Sequence, residues 1–163
     1  MRTWQRARYD VRGFTLTELM IVVTIMGILL AVTAPAMARF AGNWRLNGAA
    51  ANMAMVMRSA RSAAVSKDIN VVFTFDEDTG QYSYLEDKNG NGDADDGERE
   101  SAVQTLPPGV LFDDYTVPQT SVTFNGKGST ADGGTIEMKR GNYEVQIRVY
   151  SGTGNIEVER PSA

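Results

Sequence analysis

The chain has 163 residues and contains neither cysteine nor histidine. Without cysteine it can form no disulfide, and cysteine usage carries no information about its compartment. Zinc sites built on cysteine or histidine are excluded, as are the Cys-His and Ser-His-Asp systems of nucleophilic enzymes. These absences remove the most common routes to an enzyme, and the length suits one small domain plus an anchoring element.

Positive charge is scarce outside the first residues. Of the 16 basic side chains, Arg2, Arg6, Arg8 and Arg12 lie within residues 1–13, together with the single acidic residue Asp10. The rest of the chain carries 12 basic and 19 acidic side chains, a net charge of −7. An acidic exterior does not favour binding to nucleic acid or anionic lipid.

Charge of either sign is absent from Leu19 to Ala38, a run of twenty residues. As a helix this run would span roughly 30 Å, the thickness of a bilayer's hydrocarbon core. The basic residues before it predict a cytoplasmic N-terminus and an exported C-terminal part. Three interpretations compete: a secretory signal peptide cut near Ala34-Pro35-Ala36, a plain single-pass anchor, or a processed subunit.

A carboxylate, Glu18, lies directly before the apolar run, although in mid-helix such a charge costs about 2.5–3.5 kcal/mol. A cut between Gly13 and Phe14 would give Phe14 a free α-amino group one helical turn from Glu18. Between bundled apolar helices water is excluded, so the two charges would attract strongly, on one chain or between neighbours. The alternative is that Glu18 reaches into the lipid headgroup region.

The residues from Gly13 to Val23 closely resemble the class III signal of type IV pilins and type II secretion pseudopilins. The resemblance implies that a prepilin peptidase cuts after Gly13 and N-methylates Phe14. Glu18 is the fifth residue after this cut, as in the family, and Pro35 matches the family's helix proline. The resemblance implies that the helix can melt near Pro35, and any proline removes one helical hydrogen bond.

The helical pattern continues beyond the apolar run and is expected to end near Lys67. Apolar residues recur at spacings of four and three along one face: Leu46, Ala50, Met53, Met57, Ala60 and Ala64. We therefore predict a cleaved leader over 1–13, a transmembrane or filament-core helix over 14–38, and an amphipathic helix over 39–67.

Six or seven short antiparallel strands are predicted in the β-rich domain, 68–163, where turn signals separate runs of strand-forming residues. The runs are 71–75, 81–85, 110–112, 122–124, 135–138, 143–150 and 156–158. One long helix covering the apolar face of such a sheet gives an α+β fold.

The C-terminal part resembles the FimT/GspH group of minor pilins and H-type minor pseudopilins, less specifically than the N-terminal signal does. The similarity covers 122–128, 134–136 and the hairpin 147–158 with Gly152 and Gly154. The residues 76–121 show no recognisable resemblance of this kind. The absence of cysteine argues against a major type IV pilin with its C-terminal disulfide loop.

An acidic loop from Asp87 to Glu98 satisfies the twelve-residue EF-hand pattern at every defined position. The predicted ligands of a structural Ca²⁺ are Asp87, Asn89, Asn91, Asp93 through its carbonyl, Asp95 and Glu98, with Gly92 at the sharp turn. A strand precedes the loop, so the flanking helices of an EF-hand are not expected. The alternative is a solvated turn rich in Asn, Asp and Gly. No other cofactor is expected.

Three functions follow from these patterns. The first is a structural minor pseudopilin or minor pilin in the bacterial inner membrane, with a periplasmic or extracellular domain. Its partners would be other pilins, the prepilin peptidase, and the membrane with its assembly platform. The second is a DNA-binding minor pilin, but its candidate cations are scattered and nucleic acid is not expected as a partner: Lys139, Arg140, Arg148 and Arg160.

The third function is a tethered enzyme using carboxylate pairs for acid–base work. Its candidates are Asp76, Glu77, Asp78, Asp113 and Asp114. They occupy turn-like, solvated segments where such chemistry is hard to tune, so no enzyme is expected.

Overall fold

The computed structural model describes residues 13–160. Within them, the helix α1 (Leu16–Lys67) is followed by nine strands and a short 3₁₀ turn at Pro118–Thr120. The chain divides into two compact units, Met1–Arg39 and Phe40–Ala163. The strands are β1 (Asn70–Asp76), β2 (Gln81–Asp87), β3 (Arg99–Glu100), β4 (Gln104–Thr105), β5 (Leu111–Tyr115), β6 (Ser121–Phe124), β7 (Gly134–Arg140), β8 (Tyr143–Val149) and β9 (Ile156–Glu159).

The helix α1 ends at Lys67, as the sequence predicts, and a local backbone arrangement explains the stop. Asp68 adopts a left-handed conformation with φ 54°, the position that glycine usually fills at a helix C-terminus. The amide of Ile69 then donates to the carbonyl of Ala64 at 3.3 Å, which satisfies one of the last free carbonyls of the helix. Lys67 provides a favourable positive charge in the last turn.

The strands form two antiparallel sheets. In the first, the order is β3-β2-β1-β6, with β4 also paired to β2; in the second, it is β5-β7-β8-β9. Phe75 of β1 links the two sheets, since its ring centroid lies 4.9 Å from that of Phe112 and 5.3 Å from that of Tyr115, both on β5. Such aromatic contacts add to the burial of apolar area.

The predicted α+β class is confirmed, but the prediction of one sheet with six or seven strands is wrong. The two additional strands, β3 and β4, are only two residues long and are too short to show an alternating pattern. The division into two sheets depends on pairings such as Val72 with Thr123, which lie far apart in sequence and leave no local signal.

One apolar core lies between the helix and both sheets. The predicted helical stripe is confirmed, because each of its six residues is at most 1% exposed. The sheets contribute alternating inward residues, as expected for antiparallel strands with one solvated face: Val71, Phe73, Phe75, Val122, Phe124, Ile136, Met138, Val145, Ile147 and Val149. The Met-rich face of the helix is therefore core.

Arg61 fastens the helix to two glycine-containing loops. Its Nε donates to the carbonyl of Gly128 at 2.7 Å, and its terminal NH2 donates to the carbonyl of Thr153 at 3.0 Å. Gly154 has φ 64°, and a Cβ added there would lie 2.3 Å from the oxygen of Gly128. Glycine is therefore required at Gly154 by both conformation and space.

We expect Arg61→Ala to lower the free energy of unfolding by about 2 kcal/mol, because two charge-assisted hydrogen bonds to carbonyls are lost. Gly154→Ala should also destabilise the domain. Thermal unfolding of the full chain in detergent, followed by circular dichroism, measures both effects. The matched control is Arg45→Ala, an exposed arginine on the same helix, which should change stability by less than about 0.5 kcal/mol. Equal stabilities of the Arg61 and Arg45 variants would contradict the proposed fastening.

Candidate functional site

The N-terminus of α1 is capped by three reciprocal hydrogen bonds between Thr15 and Glu18. The amide of Glu18 donates to Oγ1 of Thr15 at 3.2 Å. In return, the amide and the hydroxyl of Thr15 each donate to Oε2 of Glu18 at 3.1 Å. This is a capping box, in which a threonine before the helix and a glutamate three residues later satisfy each other's backbone donors.

The capping box uses only one oxygen of the Glu18 carboxylate. Among residues 13–160, no hydrogen bond reaches Oε1 of Glu18, and the side chain is exposed. The carboxylate also lies at the positive end of the helix dipole, where a negative charge is favoured by about 0.3–1 kcal/mol. Glu18 is therefore held in place by its own chain and still offers an acceptor to another positive group.

The helix that follows this cap presents an apolar surface. Residues Leu16–Ala34 are long and apolar enough to cross a membrane, and none of this segment is buried within the fold. Its exposed large side chains include Leu19, Met20, Ile21, Val23, Ile25, Met26, Ile28, Leu29, Leu30 and Val32. An apolar surface of this extent needs lipid or other helices around it.

The predicted processing residues lie just before the helix. Gly13 and Phe14 are both exposed, and the ring of Phe14 is 85% accessible. Pro35 lies within α1, and the helix continues through it. Residues 1–12, which contain the predicted basic leader, lie outside the described part of the chain.

The acidic loop connects β2 to β3 and begins at Asp87, whose side chain is buried. Its Oδ1 accepts from the amide of Gly90 at 2.7 Å, and its Oδ2 accepts from the amide of Gly92 at 2.9 Å. Gly92 has φ 81°, so the sharp turn predicted at this position is present. Asp87 thus organises the first half of the loop around its carboxylate.

The second half of the loop turns back toward the first. Oε1 of Glu98 accepts from the amide of Lys88 at 2.7 Å, and Oε2 accepts from the amide of Asp95 at 3.2 Å. Oδ2 of Asp95 accepts from the side-chain amides of both Asn89 and Asn91 at 2.7 Å.

The amide of Asp93 also donates to Oδ1 of Asn91 at 2.9 Å. All six predicted ligands therefore take part in the hydrogen bonds of this loop, and oxygen donors of this kind suit Ca²⁺. The flanking elements are strands, as predicted, because β2 precedes the loop and β3 follows it.

A second group of carboxylates lies on the second sheet. Oxygens of Asp113, Glu137 and Glu144 lie within 4.8 Å of one another. The ammonium of Lys139 forms an ion pair with Asp113, and this hydrogen bond raises the pKa of Lys139. The ammonium group of Lys139 therefore already balances part of the negative charge of these three carboxylates.

Several of the residues considered for DNA binding and for catalysis are engaged in local contacts. Arg148 pairs with Glu159 at 3.0 Å, and Nε of Arg160 donates to Oδ1 of Asn47 at 3.0 Å. Asp76 accepts from the hydroxyl of Thr79 at 2.7 Å, and this bond is the main reason that the pKa of Asp76 is lowered. An exposed carboxylate with a lowered pKa is a poor general acid or base near neutral pH.

Sequence reasoning missed two residues that shape these sites. The first is Thr15, which the sequence could have indicated, because the pattern Thr-x-x-Glu before an apolar run is the signature of a capping box. The second is Arg61, which is not one of the apolar residues of the core stripe. Its partners lie 67 and 92 residues away in sequence, so no local signal could have revealed them.

Comparison with protein-family profiles gives two matches. Residues 49–153 match the family described as type II transport protein GspH. Residues 8–34 match the prokaryotic N-terminal methylation motif. A comparison with curated proteins gave no match.

Solved structures show the same fold. The type IV minor pilin FimU of Pseudomonas aeruginosa is 17% identical, with a TM-score of 0.58 over 74% of this chain and 92% of that chain. The minor pseudopilin EpsH from the type 2 secretion system of Vibrio cholerae is 14% identical, with a TM-score of 0.55 over 73% of this chain and 99% of that chain.

The N-terminal signal, the exposed apolar helix and the β-rich domain thus agree with both family matches. The family consists of structural pilin and pseudopilin subunits that assemble with other pilins in a filament and are anchored by the N-terminal helix. The chain belongs to the GspH family and is a pilin-like minor subunit.

Proposed function

We propose that the chain is made as a precursor, cut between Gly13 and Phe14, methylated on the new amine of Phe14, and inserted into a pilus or pseudopilus filament. The observation that carries this proposal is the geometry of Glu18. Its carboxylate is fixed at the tip of an exposed apolar helix, and one of its oxygens has no partner within residues 13–160.

The physical basis is a charge pair made by proteolysis. Before cleavage the nitrogen of Phe14 is a neutral amide, and afterwards it is an ammonium. When apolar helices bundle, Glu18 needs a positive partner, because an unpaired charge in that environment is strongly destabilising. The ammonium of a neighbouring subunit can meet Oε1 while Thr15 keeps Oε2.

The orientation in the membrane follows from the charges at the two ends of the helix. The basic residues 2–12 favour the cytoplasmic side of the inner membrane, which leaves the domain 40–163 in the periplasm or outside. Pro35, by removing one helical hydrogen bond, provides a place where the helix can loosen when the subunit leaves the lipid. The peptidase and the assembly platform are the partners of these two steps.

We expect Glu18→Gln to permit cleavage but to lower incorporation into filaments at least tenfold. Glutamine retains the capping box but has no charge, and loss of one member of a buried pair costs about 3–5 kcal/mol. The measurement is the amount of processed subunit in sheared filaments relative to the membrane. Glu77→Gln, an exposed carboxylate of the domain, is the matched control and should behave as the native chain does.

Comparison with Thr15→Val separates the two roles of Glu18. Valine removes the hydroxyl that caps the helix, at a cost of about 1 kcal/mol, but leaves the Glu18 charge intact. We expect a smaller loss of incorporation than for Glu18→Gln. Normal incorporation of Glu18→Gln would show that the carboxylate acts only as a cap.

We further propose that the acidic loop binds Ca²⁺ as a structural ion. Support comes from the EF-hand pattern and from the three carboxylates of Asp87, Asp95 and Glu98 within one turn-rich loop. The expected ligands are these three with Asn89, Asn91 and the carbonyl of Asp93. When bound, the ion would neutralise charge on a loop whose residues are otherwise largely exposed.

We expect millimolar CaCl₂ to raise the melting temperature of the full chain by several degrees. At 10 to 100 times the dissociation constant, a ligand stabilises by about 1.4–2.7 kcal/mol, and extracellular Ca²⁺ modules bind at about 10⁻⁴–10⁻³ M. Thermal unfolding with CaCl₂ or MgCl₂ measures the effect. Glu98→Gln should abolish the shift, whereas Asp96→Asn, outside the ligand set, should retain most of it. An equal response of both variants would argue for charge screening alone.

A further inference from the structure

A groove of about 510 Å³ lies between the last turns of α1 and the loop that follows β6. Its volume is within the usual range of pockets that bind a small ligand. Of the six described residues that line it, three carry a positive charge and none carries a negative charge: Arg58, Arg61, Ser62, Val65, Ser66 and Lys127. We call it the basic groove.

The helix contributes five of these residues, at positions 58, 61, 62, 65 and 66. Spacings of three and four place them on one face of the helix. Arg58, Arg61 and Val65 each directly follow a buried residue of the core stripe, and one residue is about 100° around a helix. The basic groove therefore borders the contact between the helix and the sheets, where the loop forms its other wall.

The loop wall is a tight turn organised by Asn125. Its Oδ1 accepts from the amide of Lys127 at 3.0 Å and from the amide of Ser129 at 3.2 Å, and its carbonyl accepts from the amide of Gly128 at 2.8 Å. Gly128 has φ 75°, and a Cβ added there would lie 2.8 Å from Cγ2 of Val65. The loop thus packs directly on the helix and holds the backbone of Lys127 beside it.

The two arginines are held in place without using all their donors. Arg58 donates one hydrogen bond, to the carbonyl of Ile156 at 2.9 Å, and Arg61 donates two, to the loop carbonyls already described. A guanidinium has five N–H donors, so most remain available. The ammonium of Lys127 and the hydroxyl of Ser62 form no hydrogen bond with residues 13–160.

These three cations lack an acidic partner in a domain that is rich in acids. Beyond residue 13 the chain carries 19 acidic and 12 basic side chains, yet none of the ion pairs within residues 13–160 involves Arg58, Arg61 or Lys127. The carboxylate of Asp68 lies against the backbone of Gly126. Like charges repel one another, so an anion that enters the basic groove would be favoured.

We propose that the basic groove binds an acidic peptide segment of a partner protein. Carboxylates of that segment would accept from the free N–H groups of Arg58 and Arg61, whose planar forks match a carboxylate, and from the ammonium of Lys127. An apolar side chain next to them would contact Val65. This site goes beyond the proposed filament role and uses none of the residues at the N-terminus of the helix.

A peptide fits the basic groove better than a nucleic acid or a free anion does. Val65 is 52% exposed and offers an apolar contact that an inorganic ion cannot use. No aromatic ring lines the groove, so unpaired bases have nothing to stack on. The net negative charge of the exported part also acts against a long polyanion, whereas a short segment depends mainly on the local cations.

The first test measures binding of a fluorescein-labelled peptide of alternating glutamate and valine residues. Fluorescence anisotropy is recorded with the full chain in non-ionic detergent at low ionic strength, and detergent without protein is the blank. We expect saturable binding that Lys127→Gln weakens about threefold, the size expected for one exposed ion pair. Adding Arg58→Gln should bring the loss to about tenfold. Arg45→Gln, an exposed arginine of the same helix outside the groove, is the matched control and should bind as the native chain does.

Absence of binding, or equal losses for Lys127→Gln and Arg45→Gln, would overturn the proposal, because the cations would then act only as diffuse surface charge. Lys127 makes no side-chain hydrogen bond within residues 13–160, so its variant should keep the native melting temperature. The same peptide with glutamine in place of glutamate should not bind, and equal affinity for it would rule out recognition of carboxylates.

The second test separates a peptide from other anions. Val65→Ala should weaken peptide binding about twofold, because part of an apolar contact is lost, and should leave competition by inorganic phosphate unchanged. Tighter binding of a single-stranded oligonucleotide than of the peptide would assign the groove to nucleic acid. Full displacement by phosphate, without an effect of Val65→Ala, would assign it to a free anion. Binding is measured outside a filament, so this test and that of Glu18→Gln fail separately.

Discussion

The structure depends on how a carboxylate is tolerated at the tip of an apolar helix. Thr15 and Glu18 satisfy each other's backbone donors. The carboxylate of Glu18 therefore has a structural role, as a helix cap, before any partner is present. Among residues 13–160 no hydrogen bond reaches Oε1, and the helix below it exposes apolar side chains along its length. Helix capping and the proposed subunit pairing therefore need not compete for Glu18, since each would use a different oxygen.

The apolar surface of α1 has two different surroundings along its length. Residues Leu16–Ala34 are exposed all round, as suits lipid or a bundle of helices. From Leu46 onward one face is buried against the two sheets, and Arg61 holds that packing through hydrogen bonds to carbonyls of two glycine-containing loops.

The sequence was informative where the determining interactions are local. The charge-free run, the heptad-like core stripe and the stop near Lys67 all depend on residues within a few turns of one another, and the structure agrees with each. The division into two sheets was missed because it depends on pairings between strands that lie far apart in sequence, such as β1 with β6. The strands β3 and β4 were missed because two residues cannot show an alternating pattern.

Three acidic side chains show that the surroundings of a carboxylate decide what it can bind, more than the number of carboxylates nearby does. Glu18 lies at the tip of an apolar helix, where the capping box satisfies one of its oxygens and where a positive partner would offset the cost of burying the charge. Asp87, buried at the end of β2, is satisfied by two backbone amides and organises a loop with Asp95 and Glu98. Asp113 lies on an exposed sheet face and already has Lys139. The first setting is where we propose a partner subunit, and the second is where we propose a cation. The third needs neither, because water and a neighbouring lysine are enough.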